Sequence, residues 1–265
     1  MDKAILYDST KCTACRGCQV ACKSWNEHEA EKTENRGTYE NPEELSPETW
    51  VKMRFIETES YNKFTWLFAR RACMHCTDAS CAIVCPTNAI LKTDDGFVHI
   101  DQDWCIGCGN CVQACPFNIP HKDEHVGTAK KCTACTSVGL NRQEEGLDPA
   151  CVTTCPTGAL KFGNRDELVT EGRQRVNELK AQGYSNAYLY GENELGGLHV
   201  LYVLDDSPSV YGLPESPQLA SATVIGKWLT GVATAAVVAA LPLWFVFKRR
   251  QKLEKEQSEV KGGVQ

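Results

Sequence analysis

Cys105–Pro116 reads CIGCGNCVQACP, a C-x2-C-x2-C-x3-C-P run around which the rest of the chain is organised. Thiolates at this spacing hold an iron–sulfur cubane. Three of them, two residues apart, converge on three irons of one cluster if the loop turns tightly. Gly107 and Gly109 supply the backbone angles such a loop needs. The fourth, Cys115, stands a turn further on, where the pattern makes it a ligand of a different cluster, so a second centre is expected nearby. Pro116 then turns the chain away.

The 265 residues include 16 cysteines, and all fall into groups of four. They are Cys12, Cys15, Cys18 and Cys22; Cys73, Cys76, Cys81 and Cys85; Cys105, Cys108, Cys111 and Cys115; and Cys132, Cys135, Cys151 and Cys155. A disulfide framework does not suit thiols packed in C-x2-C-x2-C runs. Structural zinc uses two C-x2-C knuckles with a long spacer, which is not this density. Four [4Fe–4S] clusters use every cysteine. A hydrophobic share of 42% and a charged share of 23% are ordinary for a globular protein. The net charge of −6 argues against a general nucleic-acid binder.

In chain order, a short strand at Ala4–Tyr7 leads into the first motif, KCTACRGCQVAC, where Lys23 stands in place of the proline. Residues 26–48, rich in Glu, Asn and Pro, read as a surface excursion. Trp50–Thr58 and Phe64–Arg71 form a hairpin around YNK, its aromatics packing on the sheet. The second motif, Cys73-x2-Cys76-x4-Cys81-x3-Cys85-Pro86, is joined to the third by a hairpin with Asp95-Gly96 at its turn. Motifs two and three thus make a compact two-cluster module. Lys11-Cys-Thr-Ala-Cys15 recurs as Lys131-Cys-Thr-Ala-Cys135, which pairs motifs one and four as a second module wrapping the first.

If ligands cross between paired motifs, the sets are Cys12, Cys15, Cys18 and Cys155 (cluster A) and Cys22, Cys132, Cys135 and Cys151 (cluster B). The inner module then holds Cys73, Cys76, Cys81 and Cys115 (cluster C) and Cys85, Cys105, Cys108 and Cys111 (cluster D). The expected fold class is α+β: two nested two-[4Fe–4S] ferredoxin-like modules over residues 1–163, a C-terminal helix and strand extension, and one transmembrane helix.

In the extension, residues 164–222, Asn164 caps a helix with Asp166 and Glu167 in its first turn, and Gly183 ends it. Leu198–Leu204 is a buried strand, and residues 205–218, with Pro208, Pro214 and Pro217, read as an extended linker or docking arm. Trp228–Phe247 carries no charge and is long enough for one bilayer core of about 30 Å. A buried core helix is the competing reading, since Gly, Thr and Ala dilute its apolarity. Trp228 and Trp244 near the ends and Lys248, Arg249 and Arg250 directly after favour a membrane span over 223–247. The positive-inside rule puts the charged tail, 248–265, in the cytoplasm and the cluster domain on the periplasmic face of a single-pass inner-membrane protein. The N-terminus has no secretory signal, so export would need a partner that carries one; the alternative is a cluster domain that stays cytoplasmic with the helix inverted.

His75 lies inside the second motif, where cysteines already supply the ligands, and reads as packing; His28, His99, His121, His125 and His199 share no ligand spacing. Trp25 and Trp104, beside cluster motifs, read as shields against water. No phosphate-binding Gly-rich loop, Ser–His–Asp set or paired carboxylates can be argued, so the chain is not expected to be catalytic alone.

The motifs KCTACRGCQVAC, CMHCTDASCAIVCP, CIGCGNCVQACPFNIP and KCTAC…ACVTTCPTGAL, with GGLHVLYVL and the C-terminal span, resemble the iron–sulfur (beta) subunit of membrane-bound respiratory formate dehydrogenase. The resemblance covers essentially the whole chain. It implies an electron-transfer subunit between a molybdenum- or tungsten-pyranopterin catalytic subunit and a membrane cytochrome b that reduces quinone. The four-motif part is shared with subunits of hydrogenases and of sulfur-compound and nitrate reductases. Nitrate-reductase relatives replace one cysteine of the third motif, whereas Cys105, Cys108, Cys111 and Cys115 are all present here.

Overall fold

Strand β1 (Lys3–Asp8) carries an unbroken apolar run, Ala4–Tyr7, and all four residues are buried. A strand buried on both faces belongs in the middle of a sheet with a layer on each side. The computed structural model describes residues 2–137, 139–221 and, within 231–250, all but 233, 237, 239 and 243.

From β1 the chain enters the first cysteine loop and helix α1 (Gly17–Trp25). Strands β2 (Lys52–Ser60) and β3 (Lys63–Arg71) form the expected hairpin, with Tyr61 and Asn62 both at positive φ, as a tight two-residue turn demands. Helix α2 (Ser80–Ile83) belongs to the second motif, and strands β4 (Ile90–Lys92) and β5 (Val98–Ile100) pair across the Asp95-Gly96 turn. Helix α3 (Asn110–Ala114) follows, then two small hairpins, β6 (His121–Lys122) with β7 (Ala129–Lys130) and β8 (Thr136–Ser137) with β9 (Leu140–Asn141). The fourth motif forms helix α4 (Ala150–Thr153), and the chain returns through β10 (Leu160–Asn164), helix α5 (Arg165–Ala181), β11 (Tyr188–Tyr190) and β12 (Val200–Leu204).

The central sheet has the order β10–β1–β12–β11. Strand β1 runs antiparallel to β10, with Tyr7 opposite Leu160, and parallel to β12, with Leu6 opposite Leu201. This register positions the site. Cys12 lies just past the end of β1 and Cys155 just before β10, so the sheet draws the first and fourth motifs together.

Alternation along the strands separates the two layers. Ala4, Leu6, Leu201 and Val203 face Leu168, Val169, Val176 and Leu179 of α5. Ile5, Tyr7, Val200, Tyr202 and Leu204 face the other way, into a core that includes Cys18, Cys22, Cys73, Cys132 and Cys151. On that side α1 packs on α4, while α2 packs on α3 around a third core that includes Val98, Ile100 and Cys111.

Residues 205–218 are not an extended arm. Tyr211 is 2% exposed, its hydroxyl donates to Asp205, and Tyr211 and Leu213 donate their N–H groups to the Pro208 carbonyl. Burial of Tyr211 folds the stretch back onto the body, and Tyr190 Oη holds it by donating to Pro214 O at 2.8 Å. Residues 164–220 share one compact unit with the cysteine motifs, Met1–Ala220, and the second unit is Ser221–Gln265. In the second unit the described residues between 231 and 250 are helical. Among the described residues no helix is long and apolar enough to cross a membrane. The expected span, 223–247, begins outside the described residues, and residues 251–265 lie wholly outside them.

Candidate metal centres

All sixteen cysteines are free thiols. Cys12, Cys15, Cys18 and Cys155 line one small cavity, together with Tyr7, Met53 and Leu160. Cys85, Cys105, Cys108 and Cys111 line another, closed by Ile90 and Ile100. Burial, and then the nearby thiols Cys132, Cys151 and Cys135, push the Cys22 thiol up, and burial with Cys73, Cys115 and Cys81 does the same to Cys76. Each of these four groups draws on two motifs. Among the described residues no three His, Cys, Asp or Glu side chains close on a point as the ligands of a single ion do.

The groups are also neighbours of one another. Cys151 acts on the Cys18 thiol, Cys73 on Cys132 and Cys81 on Cys111, each near enough to raise it. The four therefore adjoin in succession, with exposed Cys15 in the first group and exposed Cys108 in the last.

Local geometry explains the loops. In the repeated Lys-Cys-Thr-Ala-Cys segment, Ala14 and Ala134 have φ of 52° and 54°, and each donates its N–H to the preceding cysteine, Cys12 or Cys132, at 3.4 Å. Ala129 N donates likewise to Cys105 Sγ at 3.4 Å and Gly17 N to Cys15 Sγ at 3.5 Å. Such N–H···S bonds stabilise thiolate charge and tune a bound cluster. Gly107 has φ of 62°, and a Cβ there would stand 1.7 Å from the Gly127 carbonyl oxygen, so no other residue fits.

Burial pushes the Cys18 and Cys135 thiols up to about 12 and Cys81, Cys111, Cys115 and Cys132 up to about 11. As free groups these would stay protonated at neutral pH. They become thiolates when a strongly positive centre binds them and releases the protons. The wholly buried set, Cys22, Cys132, Cys135 and Cys151, fits an iron–sulfur cluster in that respect.

Two buried cations beside the thiols were not anticipated from the sequence. Arg70, 2% exposed, donates from Nη2 to Cys151 Sγ at 3.8 Å. Lys131, 3% exposed, donates from Nζ to the carbonyls of Val98 and Cys132, tying β5 to the fourth motif. Lys131 sits at the same place in its repeat as Lys11, which is exposed, so the repeat itself hides the difference. For Arg70 the usable signal was an arginine in a strand only three residues before Cys73.

His75 is fully buried against Phe97, and its Nδ1 accepts the Val98 N–H at 3.0 Å, a packing role. Trp25 is half-buried, with Arg142 lying over its ring at 4.4 Å. Trp104 is 66% exposed.

Comparison with known proteins gives a consistent picture. Two family models, each described as a 4Fe-4S dicluster domain, match residues 64–165 and 11–89. The formate dehydrogenase-O iron-sulfur subunit of Escherichia coli (strain K12) is 41% identical over 266 residues, covering 97% of this chain and 87% of the relative. The iron-sulfur subunit of the nitrate-inducible formate dehydrogenase of the same strain is 42% identical over 241 residues, covering 89% and 81%. The hydrogenase-2 operon protein HybA of Escherichia coli O157:H7 is 32% identical over 245 residues, covering 82% and 74%.

Proposed function

The chain belongs to the family of formate dehydrogenase iron–sulfur subunits, and from that premise we propose the path its thiols lay out and the partners it joins. It is a non-catalytic electron-transfer subunit with four [4Fe–4S] clusters, which supply one-electron centres when bound. The proposed ligand sets are the crossed ones: Cys12, Cys15, Cys18 and Cys155 for A; Cys22, Cys132, Cys135 and Cys151 for B; Cys73, Cys76, Cys81 and Cys115 for C; Cys85, Cys105, Cys108 and Cys111 for D. Their support is the succession of four thiol groups, with an exposed cysteine in the first and in the last, and this observation carries the reading of a conduit.

The residues of the chain do three things along this conduit. Thiols and backbone N–H groups hold and tune each centre, the β-sheet face and α1 to α4 keep water from the middle of the conduit, and Cys15 and Cys108 leave its ends accessible. A molybdenum- or tungsten-pyranopterin catalytic subunit supplies electrons at the A end. A cytochrome b subunit in the inner membrane takes them from the D end to quinone. The direction is favoured by Ala220, at the end of the first unit, whose N–H donates to Ser80 Oγ at 3.2 Å, beside Cys81 of set C. The proposed span is residues 223–247, with the cluster domain periplasmic and the tail at 248–265 cytoplasmic.

Replacing Cys108 with Ser is the test. The variant complex should lose quinone reduction while the catalytic partner still reduces an artificial dye, whereas undiminished quinone reduction refutes the conduit. The likeness to the hydrogenase-2 operon protein favours one second reading, with hydrogen as donor, which the same preparation distinguishes by which substrate reduces it.

A further inference from the structure

Arg70 is a cation without a carboxylate. It lies in β3, its carbonyl accepts the Tyr202 hydroxyl at 2.6 Å, and its guanidinium is buried among the thiols. Nη2 donates to Cys151 Sγ at 3.8 Å, and Nε and Nη1 have no hydrogen-bond partner among the described residues. No ion pair among the described residues includes it. A guanidinium does not deprotonate in proteins, and a buried unpaired charge is costly. The negative charge that answers it comes from the neighbouring sulfurs, Cys151 in contact and Cys132 and Cys18 with it, once these are thiolates around a cluster.

We infer that Arg70 sets the reduction potential of cluster B, holding it more positive than an uncharged side chain at this position would. This rests on the ligand set Cys22, Cys132, Cys135 and Cys151 proposed above. Reduction is a one-electron step. The neighbouring cluster gives up one electron, cluster B gains it, and no proton moves. The added negative charge falls beside a fixed positive charge in a medium of low dielectric, where the attraction is strong. The reduced form gains more than the oxidised form, so the potential rises. Because Arg70 stays charged at every accessible pH, this contribution does not titrate. The side chain touches one ligand sulfur and acts through it, as a positioning residue does.

The experiment is a redox titration of the purified complex, followed by the paramagnetic signals of its reduced clusters, on wild type, Arg70→Gln and Arg70→Lys. Iron analysis first establishes that each variant keeps its full iron, which separates failure of the ligand sets from failure of this inference. The signal belonging to cluster B is the one lost in Cys135→Ser. In Arg70→Gln that signal alone should shift to a more negative potential, by more than the scatter of the other three, and in Arg70→Lys it should return toward wild type. Both substitutions leave the Tyr202 bond to the backbone carbonyl in place, so a packing role would affect them alike. Equal potentials in the Gln and Lys variants overturn the inference, as does a shift confined to a different cluster.

Discussion

Gly107 and Arg70 mark the two ends of what a single residue reveals. The φ of 62° at Gly107 and the Gly127 carbonyl, 1.7 Å from where its Cβ would be, leave room for hydrogen only. Gly107→Ala should therefore distort the loop that carries Cys105 and Cys108 and cost the protein one centre, about four of some sixteen irons. Iron analysis of the purified variant checks this; full iron content would mean that the loop can shift without loss. That glycine was legible because its place between two cysteines demands a tight turn. Arg70 was not, because a charged residue in a strand is ordinarily on the solvent side, and only the three-dimensional packing places it against Cys151. The division of the sixteen cysteines into four motifs was legible, since spacing within a motif is a local property.

At the scale of elements, local signals predicted what local forces build. Asn164 was expected as a cap, and its Oδ1 accepts from Asp166 N at 2.9 Å and Glu167 N at 3.3 Å at the start of α5. Asn164→Ala should cost about 1 kcal/mol of stability, measurable as a lowered denaturation midpoint of the cluster-loaded protein, with its iron unchanged. Strand β12 was legible as an apolar run but its partner was not. Its parallel pairing with β1 joins residues nearly two hundred positions apart in the sequence, and no periodicity encodes that. The fold-back of 205–218 was missed for a similar reason. Three prolines suggested an extended chain, while the burial of Tyr211 and its bond to Asp205 decide the conformation.

In the unit Met1–Ala220 the central sheet has α5 on one face and Cys18, Cys22, Cys73, Cys132 and Cys151 on the other, and motifs distant in sequence share two cavities. If the ligand sets cross, Cys115→Ser should remove the centre shared with Cys73, Cys76 and Cys81 and spare the one shared with Cys105, Cys108 and Cys111, although Cys115 is in the same motif as those three. Combining it with Cys76→Ser should then remove no further iron, while combining it with Cys105→Ser should remove about four more irons. The central claim, that this chain conducts electrons from a formate-oxidising partner, is tested most directly by anaerobic purification from native membranes followed by addition of formate. The predicted result is about sixteen irons per chain, a pterin-containing large subunit in the preparation, and bleaching of the brown absorbance by formate as by dithionite. Clusters that dithionite bleaches but formate leaves oxidised, with the large subunit present, would contradict it.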